Sequence, residues 1–367
     1  MPEFESHTLP ALPRPDLASP TFKANPYPFY ARLRAEAPVY RFTLRTLGKR
    51  DGWLVSRYAD VLSVLKDPRL AKDPRSASGT AKEPWVPGFL KPLQRNMLDL
   101  DPPDHTRLRG LVHKAFTPRL VEQLRGRMEA LCDQLLDEAQ RQGHIDLVRG
   151  YALPLPTTII AELLGVPPED RHKFHAWSSH IVSASSPRDI LVVLPYALVF
   201  LRYVRQLVAR CRAAPRDDLI SALVQVEEAG DRLTTDELLA MVFLLLVAGH
   251  ETTVNLIASG TLALLERPDQ QRRLSDDPRL AQSAIEELLR FVSPVEVATE
   301  RYAREDLEIA GTRVRRGELV LGVLGSANHD EQQFVNPDVL DLAREPNPHL
   351  AFGQGTHYGS LAAAWAG

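Results

Sequence analysis

Residues 238–253 read Leu238-Leu239-Ala240-Met241-Val242-Phe243-Leu244-Leu245-Leu246-Val247-Ala248-Gly249-His250-Glu251-Thr252-Thr253. The stretch 238–247 is apolar at every position, so a helix built from it has no solvent face and belongs in the centre of a protein. Upstream, Thr234 and Glu237 have the spacing of a capping box, which starts the helix at Thr234; the pattern runs to about Leu265. Ala248 and Gly249 then let a bulky group approach the backbone closely. A carboxylate, Glu251, and two hydroxyls, Thr252 and Thr253, follow in the middle of this apolar helix. An unpartnered buried carboxylate is costly, so the pattern points to a proton-handling groove in which Glu251 supplies protons and Thr252 holds an oxygen ligand or water. The purely structural alternative is a helix kink, with Thr252 bonding back to the carbonyl of Ala248.

Other elements follow from turn and period signals on either side. Residues 1–25 form a proline-rich segment. Pro28–Ala37 and Asp60–Lys66 read as short helices, and Val39–Arg45 with Gly52–Val55 as a hairpin turning near Gly48. Ala71–Pro92 is rich in Ser, Lys, Gly and Pro and reads as a loop. Helices are predicted over Thr106–Ala115, Pro118–Gln142, Leu155–Gly165 and through the 170s to Arg212, broken at Gly143, Gly165-Val166-Pro167-Pro168 and Ala214-Pro215. Another runs from about Leu280 to Phe291 and stops at Ser293-Pro294. Beyond Pro294, Leu307–Gly311 and Arg313–Leu321 have the alternation or β-branching of short strands. The fold class is mainly α with small β-sheets.

Composition narrows the function. The 367 residues are 44% hydrophobic and 25% charged, with 44 basic and 47 acidic side chains and a net charge of -3. Such a balance supplies no broad basic field for a nucleic-acid backbone. Cys132 and Cys211 are too few for a cysteine-rich metal cluster, and the expectation is no protein-held metal site beyond a cofactor. Residues 1–16 lack the apolar core of an export signal. The most apolar runs, Ile190–Leu201 and Leu238–Gly249, are 12 residues each, short of the roughly 20 needed to span a bilayer. The expectation is a cytoplasmic protein that engages neither membrane nor nucleic acid.

Two enzyme motifs are approached and missed. His250-Glu251 would open a zinc-protease His-Glu-x-x-His, but position 254 is Val254. Gly353-Gln354-Gly355 would open a dinucleotide loop, but Tyr358 stands where its third glycine belongs. Glu287 and Arg290 are spaced i, i+3 on a predicted helix, a pairing that by itself decorates many solvated faces.

Taken in order, these motifs resemble those of the cytochrome P450 family of soluble bacterial haem-thiolate monooxygenases, from Asn25-Pro26-Tyr27 to Tyr358. The resemblance implies one such domain over 1–367 holding haem b. Asp101-Pro102-Pro103-Asp104-His105-Thr106-Arg107-Leu108-Arg109 is similar to the segment opening the family's C helix, which implies that His105 and Arg109 bind haem propionates. Ala248-Gly249-His250-Glu251-Thr252-Thr253 resembles the oxygen-activation motif, implying that Ala248 and Gly249 lie against the haem and that Glu251 and Thr252 are catalytic. Glu287-Leu288-Leu289-Arg290 resembles the Glu-x-x-Arg motif, with Arg344 as its third member. Arg301 matches a further propionate ligand. Phe352-Gly353-Gln354-Gly355-Thr356-His357 resembles the haem loop, Phe352 and Gly353 lining it and His357 on a propionate. Arg and His donors suit anionic propionates through charge-assisted hydrogen bonds. The family relationship also implies a ferredoxin- or flavodoxin-type electron donor and a hydrophobic small-molecule substrate, in a pocket lined by Ser76–Leu93, Ile181–Leu194 and Val295–Thr299.

One position departs from the pattern. Two residues after His357 the family carries the cysteine whose thiolate ligates iron; here it is Gly359, followed by an atypical tail over 359–367. The expectation is a P450 fold without its C-terminal helix and strand region and a monooxygenase impaired in iron ligation. The alternative is a haem-free binding protein that activates a partner enzyme such as a glycosyltransferase.

Overall fold

The computed structural model describes residues 16–17, 19–46, 48–78, 96–116, 118–182, 190–228 and 231–359. They form two compact units: one holds 16–78 and 263–359, the other 96–262.

The first unit is organised by a five-stranded mixed sheet. Its order is β1 (Val39–Thr46), β2 (Gly48–Val55), β9 (Leu319–Gly322), β6 (Arg301–Ala303) and β3 (Leu70–Ala71). Strand alternation sends successive side chains to opposite faces. Val39, Trp53, Val55 and Val320 join one apolar cluster with Val61, Val64 and Leu65 of α3 (Tyr58–Lys66). Tyr40, Phe42, Leu54, Leu319 and Leu321 join another with Tyr30 and Leu33 of α2 (Tyr27–Glu36). The sheet is therefore covered on both sides. Preceding α2 is α1 (Pro20–Ala24), capped by Ser19; α4 (Pro74–Ser78) follows β3. A two-stranded ribbon pairs β7 (Leu307–Ile309) with β8 (Thr312–Val314). Helices α12 (Pro268–Asp276), α13 (Ala281–Val292) and α14 (Leu324–Ala327) complete the unit. As the sequence indicates, α13 ends at Ser293, which takes a left-handed φ of 41° before Pro294.

The second unit is a helical bundle of α5 (Asp104–Ala115), α6 (Pro118–Gln142), α7 (Pro154–Leu163), α8 (Arg171–Val182), α9 (Ile190–Ala213), α10 (Leu219–Gln225) and α11 (Thr235–Leu265), with a small hairpin of β4 (Glu227–Glu228) and β5 (Asp231–Arg232). Leu111, Leu164, Phe174, Phe200, Leu207, Ile220, Leu223 and Leu238 meet in one core. The capping box of α11 forms: Thr234 N–H donates to Glu237 Oε2 at 2.8 Å and Glu237 N–H to Thr234 Oγ1 at 3.2 Å.

Several sequence expectations need correcting. The predicted loop 71–92 opens with strand β3 and helix α4 in its described part; the rest of it lies outside the described residues, as do residues 183–189 of Ile181–Leu194. The strand expected over Arg313–Leu321 is two strands, separated at Gly317 with φ +83°. Strand β6, which neither alternation nor length advertised, lies inside the sheet between β9 and β3. The apolar runs also continue further as helix than their 12 residues suggest. Val192–Ala213 and all of α11 are long and apolar enough to cross a membrane by length and composition, with mean hydropathies of 1.4 and 1.6. Within α9 and α11, Phe200, Leu201, Val204, Leu238, Leu239, Val242 and Leu246 are at most 1% exposed, so these faces are committed to the protein core.

Candidate functional site

The predicted residues divide between the two units. In the first, Glu287 and Arg290 lie one turn apart on α13, both fully buried. Arg290 donates through Nε and Nη2 to the two carboxylate oxygens at 2.8 Å each. Its Nη1 reaches the carbonyls of Asn328 and Pro337, also at 2.8 Å. Arg344 donates to the same carboxylate from Nε at 3.0 and 3.1 Å. Asp341 N–H at 3.0 Å and Asn347 Nδ2 at 3.3 Å complete the shell around Glu287. The three predicted motif residues are brought together, and Asp341, Asn347 and Asn328 are members that the sequence did not reveal. Asn328 Oδ1 also accepts from Leu350 N–H at 2.7 Å, which ties the following loop to α14.

That loop is Phe352–Gly359. Gly353 and Gly355 take φ of +70° and +78°, and a Cβ on Gly355 would sit 2.5 Å from the carbonyl oxygen of Leu65 in α3. A side chain there is excluded both by conformation and by space. Gly355–His357 makes a short helical turn, Tyr358 N–H donates to Gly355 O at 3.0 Å, and Gly359 N–H closes on Phe352 O at 3.1 Å.

Arg301 on β6 is 4% exposed. Its Nη1 donates to the carbonyl of Thr299 at 3.1 Å, and no carboxylate pairs with it among the described residues. Burial pushes its pKa down to about 10. The neighbouring carboxylate of Glu300 is committed elsewhere, accepting from Arg50 at 2.9 Å on both oxygens. A buried guanidinium beside neutral acceptors alone is costly, and an anion would offset that cost. This fits the propionate of a haem. The iron fares differently: residue 359, where the resemblance places the thiolate, is glycine and has no side chain to ligate it. Cys132 lies in α6 and Cys211 in α9 of the other unit. Among the described residues no cluster of three or more His, Cys, Asp or Glu could hold a metal ion.

In the second unit, His105 and Arg109 lie four residues apart on one face of α5, His105 only 1% exposed. On α11, Thr252 Oγ1 donates to Ala248 O at 2.7 Å and Thr253 Oγ1 to Gly249 O at 2.9 Å. The back-bond expected of a purely structural Thr252 is thus present. One reading of this helix changes. Glu251 is exposed, not buried, because α11 is enclosed on all sides only over 238–242; its carboxylate carries no burial penalty. A Cβ on Gly249 would lie 3.1 Å from Ile160 Cδ1 of α7 in the same unit. Beside it, His250 is 9% exposed, and neither of its ring nitrogens has a hydrogen-bond partner among the described residues. Burial, with the nearby charge of His175, holds its pKa below the usual histidine range against the opposing pull of Glu251.

Comparison with known proteins adds an independent line. The family profile described as Cytochrome P450 matches residues 205–357. A cytochrome P450 of Bacillus subtilis (strain 168) is 44% identical over 98% of this chain and 87% of its own length. The vitamin D(3) 25-hydroxylase of Pseudonocardia autotrophica is 45% identical over 94% of the chain and 83% of its own. Among solved structures, the bacillaene polyketide synthase cytochrome P450 PksS of Bacillus subtilis 168 superposes with a TM-score of 0.87 at 40% identity, covering 95% of this chain and 87% of that one.

Proposed function

We propose, from the premise that this chain belongs to the cytochrome P450 family of monooxygenases, that it binds haem b and a hydrophobic small molecule, and that its iron chemistry is impaired by Gly359. The single observation that carries the cofactor reading is Arg301, buried and paired with no carboxylate among the described residues. In this reading Arg301 and His357 of the first unit hold a propionate through charge-assisted hydrogen bonds. Phe352 and Gly353 line the porphyrin, and the Glu287–Arg290–Arg344 network holds the segment leading into the haem loop. Haem, when bound, supplies the iron at which dioxygen is reduced and one oxygen atom is passed to substrate. The chain's own contribution is proton handling. Glu251, exposed, exchanges protons with water. Thr252, its hydrogen committed to Ala248 O, keeps lone pairs with which to accept a proton-bearing partner.

Electrons would come from a ferredoxin- or flavodoxin-type protein. The substrate class is a large apolar scaffold: related chains are named for polyketide biosynthesis and for vitamin D(3) 25-hydroxylation. Gly359 also favours a second reading, a haem-free relative acting as the binding partner of another enzyme. Titration of the purified chain with hemin separates the two. Saturable binding with a haem absorption band, and no thiolate-type shift when reduced under carbon monoxide, is the expected result. A clean thiolate band would overturn the reading of Gly359, and no haem binding at all would favour the partner protein.

A further inference from the structure

Two consecutive carboxylates of α13 hold one stretch of chain. Glu287 takes Arg344 and Asn347, and its neighbour Glu286 takes His349. The side chain of His349 is 5% exposed, and its Nε2 donates to Glu286 Oε2 at 2.7 Å. Its Nδ1 accepts from the backbone N–H of Ala351 at 3.2 Å. A ring nitrogen that accepts from an amide carries no hydrogen, so this bonding pattern assigns the Nε2–H tautomer and commits both nitrogens. The preceding amide is also held by a side chain: Leu350 N–H donates to Asn328 Oδ1 at 2.7 Å. Asn328 Nδ2 in turn donates to Ser293 Oγ, just past the end of α13, at 2.9 Å. Two successive amides are thus fixed by side chains that are themselves tied to α13 or its cap. Gly353 N–H then closes on Leu350 O at 2.8 Å, and the rings of His349 and Phe352 lie 5.9 Å apart. Beyond them Gly353 and Gly355 stand at positive φ. Glycine restricts its backbone least of all residues, so the course of the loop depends on how residues 350–352 enter it.

We infer that Glu286 and His349 form a clamp that fixes the turn at 350–353 and so aims the loop Phe352–Gly359 at its ligand, which makes His349 a positioning residue. The assignment rests on the haem reading above and adds to it two residues outside the motifs read from the sequence. Their effect is exerted through Phe352 and Gly353. A loop ordered before its ligand arrives has little entropy left to lose on binding; without the clamp, that cost falls on the binding step. A merely structural His349 would instead stabilise the folded unit and leave affinity alone.

The two ends of the clamp can be cut separately. His349→Asn keeps an acceptor near the Nδ1 position but cannot reach Glu286. His349→Gln puts a donor near the Nε2 position but leaves the Ala351 amide without its acceptor. Both should speed amide hydrogen exchange in the peptide 347–359 of the ligand-free chain. Both should also weaken binding of metal-free protoporphyrin IX, which needs no iron ligand, roughly tenfold, with the urea midpoint near that of the parent. Glu286→Gln, whose amide oxygen still accepts from Nε2, should stay within a few-fold of the parent, and Glu286→Ala should match His349→Asn. Parent-like exchange and affinity in either histidine variant would mean that one bond suffices, and the clamp is overturned. A lower urea midpoint with unchanged porphyrin affinity would make His349 structural, overturning the proposal and leaving the haem reading intact. Should a histidine variant fail to fold, the Glu286→Ala and Glu286→Gln pair carries the comparison. A parent that binds no protoporphyrin would overturn the haem reading and this assignment with it.

Discussion

Glu287 and Arg290, both fully buried, are joined by two hydrogen bonds of 2.8 Å, and the same carboxylate accepts two more from Arg344. One anion thus holds two cations together. Removing one member of a buried pair leaves an uncompensated charge, at a cost of about 3–5 kcal/mol. Glu287→Gln should destabilise the protein by this amount in urea unfolding, since it strands two guanidiniums. Arg344→Ala should cost less, because Arg344 lies nearer the surface. Equal losses for the two variants would show that the network is not centred on Glu287.

Gly355→Ala tests the haem loop without touching a charged group. The residue would need a left-handed φ of +78° and a Cβ 2.5 Å from Leu65 O. Backbone in such a region costs on the order of 1–3 kcal/mol for a non-glycine residue, and the clash with a main-chain oxygen adds to it. A drop in melting temperature is expected, larger than for Gly353→Ala, where the φ is also positive but nothing lies within 4 Å of the added carbon. Similar drops would mean that α3 yields to the intruding methyl.

Gly249→Ala should be nearly neutral by itself. Its methyl would press on the flexible end of Ile160 at 3.1 Å, while alanine is favoured over glycine in a helix by about 1 kcal/mol. Combining it with Ile160→Val, which shortens that side chain, should give a double variant more stable than the sum of the single changes. Strict additivity would indicate that α7 is not what keeps position 249 small.

Acid should weaken the second unit. Burial holds His175 and His250 below the ordinary histidine pKa of 6.5, so both are neutral in the folded state near neutrality. The unfolded chain takes up those protons first as pH falls, and stability therefore rises with pH through this window. It should be complete above about 6.5 and decline as the pH drops toward the lower, folded-state values. His250→Leu should flatten the decline measured by denaturant unfolding between pH 7.5 and 5. An unchanged slope would place the pH sensitivity in other groups.

For Thr252, the within-helix bond to Ala248 O implies that Thr252→Ala leaves stability within about 1 kcal/mol and haem binding unchanged. In a Gly359→Cys background that binds iron through sulfur, it should lower product formed per electron consumed, general acid–base groups being worth ~10²–10⁴-fold. Unaltered coupling would assign Thr252 to helix geometry alone.

Local signals carried most of what could be read without coordinates. The capping box at Thr234 and Glu237, the ten-residue apolar run of the central helix and the stop at Ser293-Pro294 each depend on neighbours within a few positions, so the chain alone determined those elements and the order of its motifs. The spacing of Glu287 and Arg290 located a pair, yet the same spacing on a solvated face would mean nothing. Folding turned it into a buried network by delivering Arg344, Asp341 and Asn347 to one carboxylate. Tertiary structure also decided three matters that no spacing encodes. Glu251 is exposed because the bundle encloses α11 over only part of its length. Gly249 has Ile160, 89 positions earlier, 3.1 Å from where its Cβ would stand. Ala71, at the start of a segment that reads as loop, comes opposite Tyr302 because strand register joins residues more than two hundred positions apart. Burial and cross-strand pairing are properties of the assembled sheet and bundle; a residue's near neighbours in the chain cannot specify them.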